Sequence, residues 1–290
     1  MTDAVEVAKP VERATAQPDP SRPIITISGV GKAYPPRKKK KQPNVVLEEV
    51  ELQVRPGEFV SLVGASGCGK TTLLRMIGGL TSYYPGEIHV KGQLVRGIPP
   101  RIGFVFQDSA LMPWRTVWEN VKVGLNERRR EFSRQEINEK VDAALGLVGL
   151  LEYRDYLPRQ ISGGMQQRTG LARALVGEPD VLLMDEPFGA LDALTRSRLQ
   201  EELAAIVLRT SATTVFVTHD VEEAVFLSDR VAVMSTETRS ILEVIDIDVP
   251  RPRLVRAELF ADLHVADLRR RVLDLVTGPA HESARSGPGS

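Results

Sequence analysis

The hydrophobic pattern in the first part of the chain predicts β-strands. Apolar residues alternate with polar ones, or run together for a few positions, at 24–28, 45–54, 59–63, 88–90 and 102–107. Alternation with a period of two is typical of strands with one buried face, and a short continuous apolar run is typical of strands buried on both faces. The third of these segments is a mostly apolar run, interrupted only by Ser61, and is predicted to be a strand.

Beyond the fifth predicted strand the pattern changes to helical spacing. Ser133 and Glu136 have the spacing of a capping box, and the apolar residues that follow recur at helical intervals as far as Gly149. A second helix is predicted at 165–176. These segments predict a helical subdomain, at about 108–165, inserted into the strand-rich part of the chain.

After this insertion strands and helices alternate. A fully apolar strand is predicted at 181–184 and another buried strand at 213–218, with an amphipathic helix around 199–207 between them. Asp220 and Glu223 form a cap and its N3 partner for the next helix. Apolar strands that alternate with helices are typical of an α/β protein, in which helices cover a mainly parallel sheet.

Composition limits the classes of partner. The 290 residues contain 38 Lys and Arg against 38 Asp and Glu, so no overall basic field indicates nucleic acid. No apolar run reaches the roughly 18 to 20 residues that span a bilayer, and the N-terminus lacks the layout of a signal peptide. We therefore expect a cytoplasmic chain, with disordered tails at 1–23 and 278–290, where the sequence has no periodicity.

A glycine-rich segment directly after the predicted strand 59–63 indicates a phosphate-binding loop. It has the form G-x-x-x-x-G-K-T, in which glycines let backbone N–H groups surround phosphate oxygens. Lys70 is expected to reach the β and γ phosphates, and the Thr71 hydroxyl is expected to bind Mg²⁺. The predicted nucleotide-binding residues here are Gly64, Ala65, Ser66, Gly67, Cys68, Gly69, Lys70, Thr71 and Thr72.

Two carboxylates follow the predicted strand 181–184. Asp185 and Glu186 stand at its C-terminal end, where open α/β sheets bind ligands. Asp185 is expected to hold Mg²⁺ through water, and Glu186 is expected to orient or deprotonate the water that attacks the γ phosphate. Alone, the pair would suit a solvated strand end, but the phosphate loop upstream favours a shared site.

The segment 161–168 is a second candidate anion site. Ser162, Gly163 and Gly164 stand at the start of a predicted helix, where free backbone N–H groups and the helix dipole favour a bound anion. The alternative is a plain helix cap. One ATP cannot use both this segment and the Lys70 loop if the two lie far apart on one subunit.

In their order along the chain, these motifs resemble the ATP-binding subunits of ABC transporters. The resemblance rests on the phosphate loop, Gln107 at a strand end, the Ser-Gly-Gly signature, the Asp-Glu pair, the Ala-Leu-Asp sequence ending at Asp192, and His219. It implies a P-loop NTPase core with a mainly parallel sheet, an antiparallel β subdomain and an inserted helical subdomain. The ATP-binding domain is predicted at 24–253, followed by a helical extension at 254–277.

The resemblance also implies a role for each motif. Two subunits meet head to tail, so that each ATP lies between the phosphate loop of one and the signature of the other. Tyr34 would stack on adenine, although the basic run 37–41 makes an expanded loop beside it. The implied residues are Glu186, His219 and Gln107 for catalysis, Thr71, Gln107 and Asp185 for the metal, Ser162, Gly163, Gly164 and Gln166 for the opposite ATP, and Asp192 for the dimer contact.

The predicted function is that of an ATP-hydrolysing importer subunit, peripheral at the cytoplasmic face of the membrane. ATP and Mg²⁺ are the implied cofactors. The implied partners are integral membrane permease subunits, a second ATP-binding subunit in a homodimer, with a heterodimer with a related subunit as the alternative, and, indirectly, an extracytoplasmic solute-binding protein, with no nucleic acid. The segments 106–120 and 249–253 resemble importers of nitrate, sulfonates and taurine, so the predicted cargo is a small anion of that type.

Two alternatives are less well supported by the sequence. The first is a soluble ABC-type ATPase acting on DNA or ribosomes, but the chain between Lys70 and Ser162 has no room for the long coiled coil of DNA-repair members. The second is a small-molecule P-loop kinase, for which the signature and His219 would have no use. Packing on the domain is favoured for 254–277, with a regulatory or dimerising helix as the alternative.

Overall fold

The computed structural model describes residues 22–36, 43–250, 253 and 256–278. The predicted tails lie outside these ranges except for residues 22, 23 and 278, and so does the basic run 37–41. The strands are β1 (Ile25–Tyr34), β2 (Asn44–Val54), β3 (Phe59–Gly64), β4 (Glu87–Val90), β5 (Gln93–Leu94), β6 (Ile102–Val105), β7 (Val181–Asp185), β8 (Thr213–Val217), β9 (Arg230–Met234) and β10 (Ile241–Asp246).

Helices occupy much of the chain between and after these strands. The α-helices are α1 (Lys70–Ile77), α2 (Val117–Lys122), α3 (Arg134–Leu147), α4 (Gly163–Leu175), α5 (Ala193–Thr210), α6 (Val221–Leu227), α7 (Arg256–Ala261) and α8 (Leu263–Thr277). Short 3₁₀ helices cover Val123–Glu131, Leu151–Tyr153 and Pro158–Gln160. Within the described ranges, no helix is both long and apolar enough to cross a bilayer.

The strands form two sheets. β2, β1, β4 and β5 lie in that order in an antiparallel sheet. The other sheet has the order β10-β9-β3-β8-β7-β6, in which all neighbours from β9 to β6 run parallel and β10 is antiparallel at the edge. The predicted fold class, with a mainly parallel sheet and an antiparallel β subdomain, is confirmed.

The centre of the parallel sheet is buried on both faces, as its apolar sequences predict. Every residue of β3, β7 and β8 is buried. One face packs with α1 against the antiparallel sheet, and the other face packs against the helices α2 to α5. Because β3, β7 and β8 are parallel, their C-terminal ends lie along one edge of the sheet, which is where the candidate site is built.

β1 is longer than the sequence predicts. The predicted strand ends at residue 28, whereas β1 continues to Tyr34 with register shifts against β2 beyond Ile27. Gly29 has a φ of 60°, and its N–H donates to the Glu51 carboxylate at 2.6 Å. Such irregularities are typical of β-bulges, which let a strand continue after the period-two pattern has broken.

The helices between β6 and β7 begin where the sequence predicts strong start signals. Ser133 accepts from the N–H of Glu136, whose carboxylate accepts from the N–H of Ser133, so the predicted capping box is formed at α3. Thr116 and Glu119 form the same reciprocal pair at α2. An inserted helical subdomain is therefore present, while its boundaries at 108–165 stay a prediction.

The C-terminal helices pack on the parallel sheet. Val265, Leu268 and Val272 of α8 are buried in a cluster that also contains Val225 of α6 and Val233 of β9. Packing on the body of the chain therefore accounts for the apolar face of α8, which is turned toward α6, although Leu263 at the start of this helix is 84% exposed. This contact places α7 and α8 next to the helix that directly follows His219.

Gly124 lies too close to the backbone of α4 to accommodate a side chain. A Cβ at Gly124 would stand 2.0 Å from the carbonyl oxygen of Arg173 in α4. Since that oxygen belongs to the backbone, we expect Gly124→Ala to lower the free energy of unfolding by roughly 1 to 3 kcal/mol. At Gly146 a Cβ would meet nothing within 4 Å, so Gly146→Ala should be neutral or stabilise by up to ~1 kcal/mol.

Urea denaturation of both variants measures this difference. Gly146→Ala is the matched control, because it adds the same methyl group to the same helical part of the chain. Equal stability of Gly124→Ala and the unsubstituted protein would contradict the close packing of the 3₁₀ segment on α4.

Candidate functional site

The phosphate loop joins β3 to α1 at the C-terminal edge of the parallel sheet. Its first glycine, Gly64, has a φ of 153°, and a Cβ there would stand 2.3 Å from the Met234 carbonyl oxygen. The tip of the loop, residues 65–67, is exposed. Gly67 has a φ of 84°, and a Cβ there would meet nothing within 4 Å, so the tip borders open space.

Lys70 lies inside this loop. Its Nζ donates to the carbonyl oxygens of Gly64 at 2.7 Å and Ala65 at 3.1 Å, and it stands 3.9 Å from the Cys68 sulfur. Lys70 is only 6% exposed, and Cys68 is also buried. The ammonium is therefore fixed close to the open tip, at the N-terminus of α1. Charge, helix dipole and free space there together fit a phosphate group.

Asp185 connects the loop to the end of β7. Thr71 Oγ1 donates to Asp185 Oδ1 at 2.7 Å, and Arg75 Nη2 lies 3.7 Å from Asp185 Oδ2. Burial raises the pKa of Asp185, whereas the hydrogen bond from Thr71 and the charge of Arg75 lower it. A hydroxyl oxygen beside a carboxylate is the kind of donor pair that Mg²⁺ prefers, so these residues fit that ion.

No group of three or more His, Cys, Asp and Glu side chains that suits a metal ion occurs among the residues described. Mg²⁺ typically takes only one or two protein ligands and completes its shell with water and substrate phosphates. The pair formed by Thr71 and Asp185 is therefore compatible with Mg²⁺ bound together with a nucleotide.

Glu186 faces His219 across the ends of β7 and β8. His219 Nδ1 lies 3.1 Å from Glu186 Oε2. The backbone of Glu186 has a φ of 44°, a left-handed conformation that is uncommon outside glycine, and its N–H donates to the Val217 carbonyl at 2.9 Å. Strain of this kind is often concentrated at functional sites.

The side chain of Gln107 reaches the same place from the end of β6. A Cβ built on Gly189 would lie 3.7 Å from Glu186 Oε2 and 3.9 Å from Gln107 Nε2. All three side chains that the sequence predicts to be catalytic, including His219, therefore converge at one edge of the sheet.

The signature stands apart from these groups. Ser162 caps α4, because its Oγ accepts a backbone N–H of the first turn at 3.3 Å. Gly163 and Gly164 lie against Leu191 and Thr195 at the start of α5. The phosphate loop instead adjoins β2 and β9, and no described contact joins it to the signature. A single chain thus holds both elements without bringing them together.

Gln166, predicted for the signature, and Asp192, predicted for the dimer contact, hydrogen-bond to backbone groups of their own chain. Gln166 Nε2 donates to the carbonyl oxygen of Pro158 at 3.0 Å, which fixes the segment that leads into the signature. Asp192 is exposed and caps α5, accepting the N–H of Thr195 at 3.0 Å. Hydrogen bonds from the backbone and side chain of Thr195 lower the pKa of Asp192.

Tyr34 ends β1, at the end of the antiparallel sheet that adjoins the phosphate loop. It pairs with Asn44, and Val46 two residues later lies against the loop at Gly69. The ring is 39% exposed, and the ammonium of Lys32 stands 5.0 Å from its centre. Thr72, in the first turn of α1, is half-buried.

One residue that the sequence analysis missed connects the signature helix to the catalytic edge. Gln167 is buried, and its Nε2 donates to the carbonyl oxygens of Pro187 and, at 3.3 Å, Gln107. Its position next to the signature was the available signal. The pattern of apolar residues cannot predict such a contact, because it links positions about 20 and 60 residues apart.

The chain has close relatives among transporter subunits. It is 41% identical over 249 residues to the aliphatic sulfonates import ATP-binding protein SsuB of Bacillus cereus, a match that covers 86% of this chain and 94% of that protein. The family described as ABC transporter matches residues 47–189. The chain belongs to the ABC transporter family. The matched range contains the phosphate loop, Gln107, the signature and the Asp-Glu pair, and ends before Asp192 and His219.

A second relative of this ABC transporter subunit is the nitrate import ATP-binding protein NrtC of Synechococcus elongatus. It is 43% identical over 233 residues, which are 80% of this chain and 35% of that protein. The present chain thus spans about a third of NrtC. Both relatives are named for import, which favours the importer prediction over the DNA or ribosome alternative.

A solved structure supports the same assignment. The ATP-binding cassette MJ0796, in a dimeric post-hydrolysis state bound to ADP and Pi, matches with a TM-score of 0.68 and 30% identity over 78% of this chain and 100% of that one. The ABC transporter subunit described here is therefore an ATP-binding and ATP-hydrolysing protein. The solved cassette is dimeric, and the relative from Bacillus cereus is named an import ATP-binding protein.

Close to the catalytic edge the subunit contains a buried acid, Glu223. It is 4% exposed, and its carboxylate accepts from Gln200 Nε2 at 2.8 Å and from Thr218 Oγ1. Burial raises the pKa of Glu223 to about 6, with a smaller contribution from Asp220, whereas the two hydrogen bonds and Arg196 lower it. The sequence analysis assigned Glu223 only to the cap of α6.

This pKa predicts a pH effect on stability. The pKa of Glu223 in the folded protein lies above its ordinary value of 4.5, so its contribution to stability is complete below 4.5 and is lost as the pH rises through about 6. The loss is on the order of 2 kcal/mol. Glu223→Gln removes the titration, so between about pH 4.5 and pH 7.5 its free energy of unfolding should rise relative to that of the unsubstituted protein by this amount.

Urea denaturation at a series of pH values measures the effect. Glu237→Gln, at an exposed position, serves as the control and should leave the pH dependence unchanged. A stability difference between Glu223→Gln and the unsubstituted protein that stays constant with pH would contradict the raised pKa.

Proposed function

We propose that two copies of this subunit close on two ATP molecules, each held between the phosphate loop of one copy and the signature of the other. The observation that carries this proposal is the separation of two complete anion-binding elements within one chain. Lys70 lies in the first, and Ser162 with Gly163 opens the second against α5. In a head-to-tail pair, the phosphate loop of one copy and the signature of the other bind the same ATP.

Hydrolysis is assigned to the edge formed by β6, β7 and β8. Lys70 and the loop N–H groups bind the β and γ phosphates. Thr71 and Asp185 would hold Mg²⁺, which would supply positive charge to the phosphate oxygens. Glu186 orients the attacking water and accepts its proton, while His219, 3.1 Å away, is held ready to contact the γ phosphate. Gln107 approaches the same water from the end of β6.

The distribution of cavities supports a shared site. A cavity of about 870 Å³ is lined by Arg101, Asp180 and Thr213, at the N-terminal ends of β6, β7 and β8. It therefore opens at the edge opposite the phosphate loop. Around Glu186 and His219 there is only a small cleft. An open nucleotide surface on each chain is what closure by a second copy requires.

We further propose that the segment after Gln107 meets the permease at the cytoplasmic face of the membrane. Trp114 is 74% exposed in the single chain. Aromatic residues are enriched at protein interfaces, so an exposed ring of this size fits contact with a partner. Gln167 touches the carbonyl oxygen of Gln107 from the signature helix, so closure of the dimer has a contact through which to act on this segment.

The proposed cargo is a small oxyanion such as nitrate or an alkanesulfonate. This step rests on the names of the relatives, one an importer subunit for nitrate and one for aliphatic sulfonates. An extracytoplasmic solute-binding protein would deliver the anion to the permease and would not touch this subunit. The subunit itself would contact ATP, a second copy and the permease.

Co-purification tests the proposal. The full chain is tagged in its source cells, membranes are solubilised in mild detergent, and the proteins that co-purify are identified by mass spectrometry. We expect a multi-spanning permease together with this chain. Uptake of labelled nitrate and of a labelled alkanesulfonate, in cells with and without the chain, then identifies the cargo. Recovery of ribosomes or DNA-bound complexes without a membrane protein would contradict the importer assignment.

A further inference from the structure

A chain of buried hydrogen bonds runs from the C-terminal helix α7 to the residue before His219. Arg256 Nη1 donates to Gln200 Oε1, and Gln200 Nε2 donates to Glu223 Oε1 at 2.8 Å. Thr218 Oγ1 then donates to Glu223 Oε2. This chain of hydrogen bonds thus crosses three helices, α7, α5 and α6, and ends at the turn that presents His219 at the catalytic edge.

The middle of this chain has no contact with solvent. Gln200 is 0% exposed, Thr218 2% and Glu223 4%. A buried polar group that loses its partner costs roughly 1 to 3 kcal/mol, so neighbouring groups reorient to avoid the loss. A change at one end is therefore passed along the hydrogen bonds rather than absorbed by water.

Arg256 decides which way the Gln200 amide points. A guanidinium only donates, so it holds the amide oxygen of Gln200 on its own side and leaves the amide N–H groups for Glu223. Without this donor the amide is free to rotate, and a rotated amide would set its oxygen against the Glu223 carboxylate. The direction of the Gln200 amide is thus set from α7.

Arg256 is itself firmly placed. Its Nη2 lies 3.0 Å from Glu222 Oε2, and its guanidinium carbon stands 5.5 Å from the centre of the Phe260 ring and 6.0 Å from that of Phe226. Arg269 of α8 binds the other oxygen of Glu222 at 2.7 Å and makes no described contact with Gln200. The two arginines therefore share one acid but differ in their access to the buried chain.

At its other end the chain reaches the catalytic edge. Thr218 Oγ1 accepts the N–H of Asp220 at 3.0 Å, which fixes the turn on either side of His219. His219 is exposed, and its only described side-chain partner is Glu186 at 3.1 Å. Its place depends on the backbone turn, because little packing around the ring restrains it.

We propose that Arg256 is a positioning residue for ATP hydrolysis, which acts through Gln200 and Glu223 to hold the Thr218–Asp220 turn and thereby places His219 against Glu186. The C-terminal helices α7 and α8 then control the hydrolytic rate from a surface that does not touch the nucleotide. This inference rests on the proposed catalytic roles of His219 and Glu186.

Steady-state ATP hydrolysis by the purified full chain tests the inference. Arg256→Met keeps an apolar stem against Phe226 and Phe260 but removes the donors. We expect kcat to fall about tenfold, with little change in KM for ATP, because misplacing a catalytic group affects the chemical step rather than phosphate binding. Arg256→Lys, which can still donate to Gln200, should recover part of the rate. Arg269→Ala is the matched control and should keep the original kcat.

A second measurement reports on His219 without using activity. Imidazole signals of the ¹³C,¹⁵N-histidine-labelled chain, which has four histidines, are recorded by NMR, and the signal of His219 is assigned with His219→Asn. In Arg256→Met the His219 signal should shift or broaden while that of His89 stays in place. In Arg269→Ala the His219 signal should not change.

The outcomes separate this inference from the proposed function. An unchanged kcat and an unchanged His219 signal in Arg256→Met would overturn the positioning role. An equal loss of kcat in Arg256→Met and Arg269→Ala, with the His219 signal unchanged, would overturn it as well. A displaced His219 signal without any effect on hydrolysis would retain the connection and refute the catalytic role of His219. If Arg256→Met were too unstable to assay, Arg256→Lys and Gln200→Ala replace it. A partial loss of kcat in Arg256→Lys together with a larger loss and a shifted His219 signal in Gln200→Ala would support the inference, and the original kcat and signal in both variants would overturn it.

Discussion

We expect ATP turnover to fall at least about 100-fold in Glu186→Gln, while the affinity for ATP changes by less than about threefold. The amide keeps the size and position of the side chain but cannot accept a proton from water, and general-base catalysis typically contributes a factor of 10² to 10⁴. Glu186 stands at the convergence of His219 and Gln107, and no phosphate-binding contact in the loop depends on it. Binding and hydrolysis should therefore separate cleanly in this variant.

Phosphate release measures the turnover, and isothermal titration with ATP measures the affinity. Glu139→Gln, which makes the same change on the exposed side of α3, is the control and should retain both values. Turnover at the original rate in Glu186→Gln would rule out Glu186 as the residue that handles the attacking water.

Lys70→Ala should have the opposite profile, with a loss of binding itself. The Lys70 ammonium is held at the phosphate loop by Gly64 and Ala65, so its charge is aimed at the phosphates before any ligand arrives. A hydrogen bond to a charged group contributes about 1.5 to 3 kcal/mol. Two such bonds correspond to a decrease of roughly 100-fold or more in ATP affinity.

Titration with ATP in the presence of Mg²⁺ tests this prediction. Urea denaturation of the same variant shows whether the loop change has unfolded the chain, since Lys70 is also part of the packed start of α1. An ATP affinity equal to that of the unsubstituted protein would mean that the segment is not the main phosphate-binding element.

The sequence could predict that Asp185, Glu186 and His219 lie at one edge of the sheet, because their positions follow from the order of strands. Asp185 with Glu186, and His219, come directly after apolar strands, and the C-terminal ends of parallel neighbours meet at one edge. The 3.1 Å contact between Glu186 and His219 is a consequence of that arrangement. The roles of Asp185 and Glu186 follow from their place after a strand in a chain with a phosphate loop, whereas that of His219 came from resemblance to the ABC family.

Other features were beyond the reach of local pattern. The continuation of β1 past Gly29 depends on a bulge that breaks the period-two alternation. The contact of Gln167 with Gln107, and the chain from Arg256 to Glu223, join side chains that lie on different elements. Apolar periodicity specifies which face of an element is buried, but it does not specify which polar groups meet across two buried faces.

The molar mass of Glu186→Gln in solution, measured by light scattering with Mg²⁺ and ATP, shows whether two subunits share the nucleotide. We expect twice the 32.0 kDa mass of one chain with ATP and a return to a single chain with ADP, because only ATP, with its γ phosphate, joins the loop of one copy to the signature of the other. Adding Ser162→Arg should abolish the doubling. A mass of one chain with ATP bound would contradict a nucleotide site shared between two subunits.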